Sequence, residues 1–123
     1  MITGVILNNG TPVIELKIRG SREEVTVEGI LDTGFDGFLC LPIAIATSLG
    51  LELIDATESE LADGTVTQDD LVFAGQAEWD GAMLEVEILL TRSEDTLIGT
   101  AFLEGYRIEI DYPTSTVGIA RVP

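Results

Sequence analysis

The chain has 123 residues, with 22 acidic against 6 basic side chains, no histidine and a formal charge of −16. That charge makes nucleic acid and anionic membranes poor partners, and reads first as solubility and steering. The missing histidine excludes Ser–His–Asp and Cys–His catalysis and His-based zinc sites, which leaves carboxylates, hydroxyls and backbone to do chemistry.

Hydrophobic residues make up 46% of the chain, enough for a core rather than disorder, and the length suits one domain, 1–123. No apolar stretch reaches the roughly 20 residues of a membrane helix. The start, "MITGVILNNG", lacks a basic leader and reads as a cytoplasmic N-terminus. Cys40 is the single cysteine, so no disulfide forms within the chain, in keeping with a reducing compartment.

In chain order, Pro12–Ile18 ("PVIELKI") alternates apolar and polar residues as a half-buried strand does, with Lys17 facing outward. Glu23–Leu31 ("EEVTVEGIL") alternates in the same way and then runs apolar into Asp32. After "ILDTGFDGFLCLP", in which Cys40 reads as a small core residue, "LPIAIATSLGL" predicts a helix starting near Pro42 and stopped by Gly50. "LADGTVT" carries an Asp-Gly pair, a strong hairpin-tip signal. Trp79, before "DGAML", reads as core or hairpin packing. Leu84–Leu90 is a further strand, "LIGTAFLEG" a short helix after Gly99 ended by Gly105, and Tyr106–Tyr112 and Thr116–Val122 are the last strands. Many short strands separated by turn residues argue for an all-β sandwich or barrel with one or two short helices.

The residue that stands out is Asp32, an acid at the end of an apolar strand. Thr33 adds a hydroxyl donor, and Gly34 can turn the backbone and offer its N–H to the carboxylate. One carboxylate cannot serve as both base and acid in water-mediated amide hydrolysis. Two that share a proton can, because repulsion splits their apparent pKa values. Asp36 reads as an exposed turn residue. An Asp-x-x-x-Asp-Gly calcium loop lacks the ligand ladder and closing Glu it would need, so neither a metal nor an organic cofactor is implied.

"ILDTGFDGFLCLP", "LADGTVT" and "DTLIGTAFLEGYRIEIDY", in this order, resemble the catalytic loop, the flap and the second signature of the retropepsin-like, single-lobe aspartic proteases. The resemblance runs from about Pro12 to Ile119. It implies a closed acid-protease barrel that acts as a symmetric homodimer and hydrolyses peptide bonds. Asp32 would be the catalytic aspartate, Thr33 would brace the two loops across the dimer axis, and Gly34 would shape the loop. Ile98 and Gly99 would support the loop from beneath. Ala62, Asp63, Gly64 and Thr65 would form a flap tip over a peptide or protein substrate, and Phe35 would line or obstruct the pocket. The family ties its dimer with terminal strands, which makes "MITGVIL" and "TVGIARVP" the expected interface. The alternative is a catalytically silent module of the same fold that binds peptide or only dimerises.

Overall fold

A computed structural model describes residues 1–60 and 66–123. Its elements are β1 (Ile2–Ile6), β2 (Pro12–Arg19), β3 (Glu24–Leu31), β4 (Leu39–Pro42), α1 (Ile43–Leu49), β5 (Glu52–Glu60), β6 (Val66–Trp79), β7 (Ala82–Thr91), β8 (Thr96–Ile98), a 3₁₀ turn (Thr100–Phe102), β9 (Tyr106–Asp111) and β10 (Thr116–Arg121). Each predicted strand is present. The helix after Pro42 is present too, whereas the stretch after Gly99 makes only one 3₁₀ turn.

The strands form one sheet in the order β5-β6-β7-β4-β8-β3-β2-β1-β10-β9, and β6 also pairs with β2. That extra pairing, Ile18 with Ala77 and Arg19 with Gln76, closes β2, β3, β8, β4, β7 and β6 into a six-stranded barrel. Closure removes the exposed edges of those six strands. Alternation along β2 turns Ile14, Leu16 and Ile18 inward. They meet Leu39, Leu41, Ile88, Ile98 and Ile119 in one apolar cluster. Trp79 lies inside it, stacked on Phe102 with ring centroids 4.6 Å apart and edge-on to Tyr106 at 5.8 Å. Its buried indole N–H has no partner among the described residues.

α1 begins at Pro42, whose φ of −56° is preset for a helix start, and ends at Gly50 with φ 74°, a left-handed stop that favours glycine. The loop before β3 then caps its C-terminal carbonyls. Ser21 Oγ donates to the Gly50 carbonyl at 2.7 Å, the Arg22 guanidinium to that of Thr47 at 2.7 Å, and the Arg22 N–H to that of Leu49 at 2.9 Å.

Outside the barrel, β1, β10 and β9 extend the sheet beyond β2. β10 is flanked by β1 and β9, and β1 is paired along Ile2–Val5 with β10 and at Val5 and Ile6 with β2. The two terminal strands expected to tie a dimer are therefore used inside the chain. The open edge on this side belongs to β9. Among the described residues no helix is long and apolar enough to cross a membrane.

Candidate active site

Asp32 opens the loop between β3 and β4. These two strands do not pair with each other; both pair with β8, which runs between them, parallel to β3 and antiparallel to β4. Ile98 lies opposite Leu31 on one side and Leu39 on the other and is fully buried. Gly29 makes this possible, because a Cβ there would sit 2.5 Å from Ile98 Cδ1. The loop thus leaves and re-enters the barrel on either side of one three-residue strand.

Backbone bonds then fix the loop. The Asp32 N–H donates to the Ile98 carbonyl at 2.9 Å, the Phe35 N–H to the Asp32 carbonyl at 3.1 Å, and the Gly99 N–H to the Phe38 carbonyl at 2.9 Å. From the 3₁₀ turn, Thr100 N–H reaches the Phe35 carbonyl at 2.8 Å and Ala101 N–H that of Gly37 at 3.2 Å. The carboxylate itself accepts the Gly34 N–H at Oδ1, at 2.9 Å. Gly34 does not adopt a left-handed backbone. Its contribution is that N–H and the room beside it, since a Cβ would come 3.2 Å from Oδ1.

Asp32 is half-buried, while Thr33, Gly34 and Asp36 are exposed at the tip. Among the described residues the ion pairs belong to Lys17, Arg19 and the N-terminal amine, and none reaches Asp32. A carboxylate with one N–H donor and no cation keeps acceptor capacity for water. The structure brings Asp32, Thr33, Gly34 and Phe35 together with Ile98 and Gly99. Ala62, Asp63, Gly64 and Thr65 lie outside the described residues.

Phe35 is half-buried, and its ring folds back onto two glycines. A Cβ on Gly37 would come 2.6 Å from Phe35 Cζ, and one on Gly99 would meet the Gly37 carbonyl oxygen and the same ring. The ring is used to pack the Asp32 loop against the 3₁₀ turn, a contact between residues 35, 37 and 99 that no local sequence pattern announces. Two concavities, of about 390 Å³ beside Met1 and Trp79 and about 320 Å³ beside Phe38 and Tyr106, are not lined by Asp32.

The barrel and the loop held between β3, β8 and β4 have counterparts in solved structures. A retropepsin-like aspartic protease from Rickettsia conorii matches with a TM-score of 0.61 at 16% identity, over 94% of this chain and 87% of that one. The simian foamy virus protease matches at 0.56 and 18%, over 75% of this chain and 91% of its own. The retroviral protease-like domain of Ddi1 from Leishmania major matches at 0.52 and 12%, over 92% and 94%. The fold is retropepsin-like. By sequence, an uncharacterized protein of Archaeoglobus fulgidus is 25% identical over 125 residues, 91% of this chain and 95% of that protein. No family model matches.

Within a retropepsin-like fold, the half-buried carboxylate at the head of the β3–β4 loop is the group to ask about chemically. It has a fixed donor, an open face and no cation, and the chain supplies one such loop.

Proposed function

We propose that this chain, acting as one domain over residues 1–123, is half of an aspartic endopeptidase whose active form is a homodimer in the cytoplasm. The observation that carries the reading is the Asp32 carboxylate, held by the Gly34 N–H on a loop fixed to β8 and the 3₁₀ turn. The retropepsin-like fold and the neighbours' described protease activity support it.

In this reading the ionised Asp32 of one copy takes a proton from water as its oxygen attacks the peptide carbonyl carbon. The protonated Asp32 of the other copy donates to the carbonyl oxygen, giving a tetrahedral diol. Collapse breaks the C–N bond, the diol returns a proton to the carboxylate pair, and the nitrogen leaves with a proton from the acid. Water is consumed, and both aspartates end as they began. Thr33, exposed beside the acid, is the brace across the axis. Ala62, Asp63, Gly64 and Thr65 close over the substrate, while Phe35 sets the loop and leaves the pocket wall to other groups. Asp32 lines neither of the two concavities described above, which fits a cleft completed by a second copy.

Wild type and Asp32→Asn, assayed side by side on a peptide library from about pH 3 to about pH 7 with and without pepstatin, test the reading. Cleavage by the wild type alone supports it. Equal inactivity of both in a demonstrated dimer leaves the silent module of the same fold. Like charge on the two copies is relieved as carboxylates protonate, so sedimentation is expected to show tighter dimers at about pH 5 than at about pH 8.

A further inference from the structure

β2 is flanked unevenly. On one side β3 pairs with it from Val13 to Arg19. On the other, β1 reaches it at Pro12 and Val13 and β6 at Ile18 and Arg19, so among the described residues 14–17 have no strand partner on that edge. Toward its own start β1 leaves β2 and continues along β10. Gly4 lets it cross low over β2, since a Cβ there would meet the Val13 carbonyl oxygen and come 2.6 Å from Ile14 Cγ2. Where the two strands part lies a groove of about 240 Å³, lined by Thr3, Val5, Val13, Ile14, Glu15 and Glu28.

The lining divides into an aliphatic part and an acidic part. Val13 is buried and Val5, its partner across β1, is 51% exposed, so one wall is apolar from floor to lip. At the other end Glu15 and Glu28 stand directly opposite each other on β2 and β3, both exposed. Carboxylates so placed repel each other, and neither has a cation. Among the described residues Lys17 pairs with Glu24 and Glu78, Arg19 with Glu24, and the N-terminal amine with Asp80. Glu28 also lies in a stretch, residues 23–91, that contains no lysine or arginine. An aliphatic wall that ends at two unneutralised acids complements a long apolar stem with a cationic head. Glu28 precedes Asp32 by four residues, about 13 Å at the rise of a strand, so the groove is a place apart from the Asp32 loop.

We propose that the groove between β1 and β2 binds a lysine or arginine side chain of a peptide segment, its stem along Val5 and Val13 and its head between Glu15 and Glu28. The partner supplies the cation that the chain itself withholds from this pair. Arginine is the better fit, because a guanidinium can give N–H donors to both carboxylates at once. The site does not depend on the two-aspartate reading. In a protease it gives a basic substrate a second point of attachment, and in a silent module it is the peptide site itself.

A ¹⁵N NMR titration with the blocked peptide acetyl-Gly-Val-Arg-Val-Gly-amide tests this at low salt. Saturable shifts are expected at the backbone amides of residues 3–5, 13–15 and 28. Glu15→Gln and Glu28→Gln should each weaken binding by about threefold or more, and the same peptide with glutamine in place of arginine by about tenfold. Raising the salt to about 0.5 M should weaken the arginine peptide and leave the glutamine peptide unchanged. Both glutamates are exposed and each substitution removes a repulsion, so melting temperatures that do not fall serve as the folding control. Shifts that spread over the acidic surface without saturating overturn the proposal. So do binding that ignores both substitutions, equal binding of the glutamine peptide, or shifts centred on residues 32–34. Peptide cleavage by a protein that fails this titration removes the groove and leaves the Asp32 reading standing. A protein that passes it yet cleaves no peptide does the reverse.

Discussion

The Asp32 loop and the turn that starts at Gly99 are bonded to each other, yet they are built on opposite principles. In the loop, Thr33 and Gly34 are exposed and the carboxylate is half open. In the turn's footing, Ile98 is fully buried and Phe102 nearly so, with Gly99 pressed so closely against Gly37 that no side chain fits. A group left open to solvent contributes little burial of its own, so its position is set by a neighbour that contributes a great deal. The division predicts that chemistry and stability separate under mutation.

The largest separation should come from Asp32→Asn. In the proposed enzyme it lowers kcat by about three orders of magnitude or more while changing unfolding free energy by less than about 0.5 kcal/mol. A large loss of stability would show that the carboxylate is structural. Gly99→Ala is the converse. Its Cβ would run into the Gly37 carbonyl oxygen and the Phe35 ring, and a cost of about 3 kcal/mol or more is expected in urea unfolding, because backbone has no way to yield cheaply. Phe35 belongs to both regions. Phe35→Ala empties the contact with Gly37 and Gly99 and should cost about 2 kcal/mol, less than a fully buried phenylalanine would. It should also speed amide exchange at Gly34, whereas Phe35→Leu should recover most of both.

The smallest effect lies outside both regions and guards the comparison against a false reading of pH. Glu24 is held below the ordinary carboxylate value of 4.5, first by its hydrogen bond to Arg19 and then by the charges of Lys17 and Arg19. A lowered folded-state pKa contributes stability above the unfolded value, and that stability is lost as pH falls through the folded one. Glu24→Gln should therefore slightly reduce the fall in melting temperature between neutral and strongly acid pH. The pair is exposed, so the change is small. Acid sensitivity that remains in the variant belongs to other carboxylates.

Strand positions were legible where alternation is clean, as in β2 and β3, and so was the glycine that ends α1, Gly50 with φ 74°; Gly105, with φ 82°, instead lies in the turn before β9, because the 3₁₀ turn already ends at Leu103. β8 was not legible as a strand. It has three residues with buried ends, and so short an apolar run carries no period to read. β5 was missed for another reason: "ELIDATESE" is acid-rich and does not alternate, and its strand state comes from pairing with β6. At the site, the acid, its glycine and the N–H that the glycine offers to the carboxylate could be picked out from residue types, but not where the Phe35 ring goes. The ring direction depends on two absent Cβ atoms at positions 37 and 99, and only the folded chain brings these together.

The parallel pairing of residues 29–31 with residues 96–98 also has a consequence in time. The strand that leads into Asp32 emerges from the ribosome early, but its partner β8 and the Thr100 turn come from the last third of the chain. Contacts so distant in sequence close late and slow folding. During synthesis at about 5–20 residues per second, the aspartate loop spends seconds without the segment that shapes it. A nascent chain therefore carries the acid long before it carries the site.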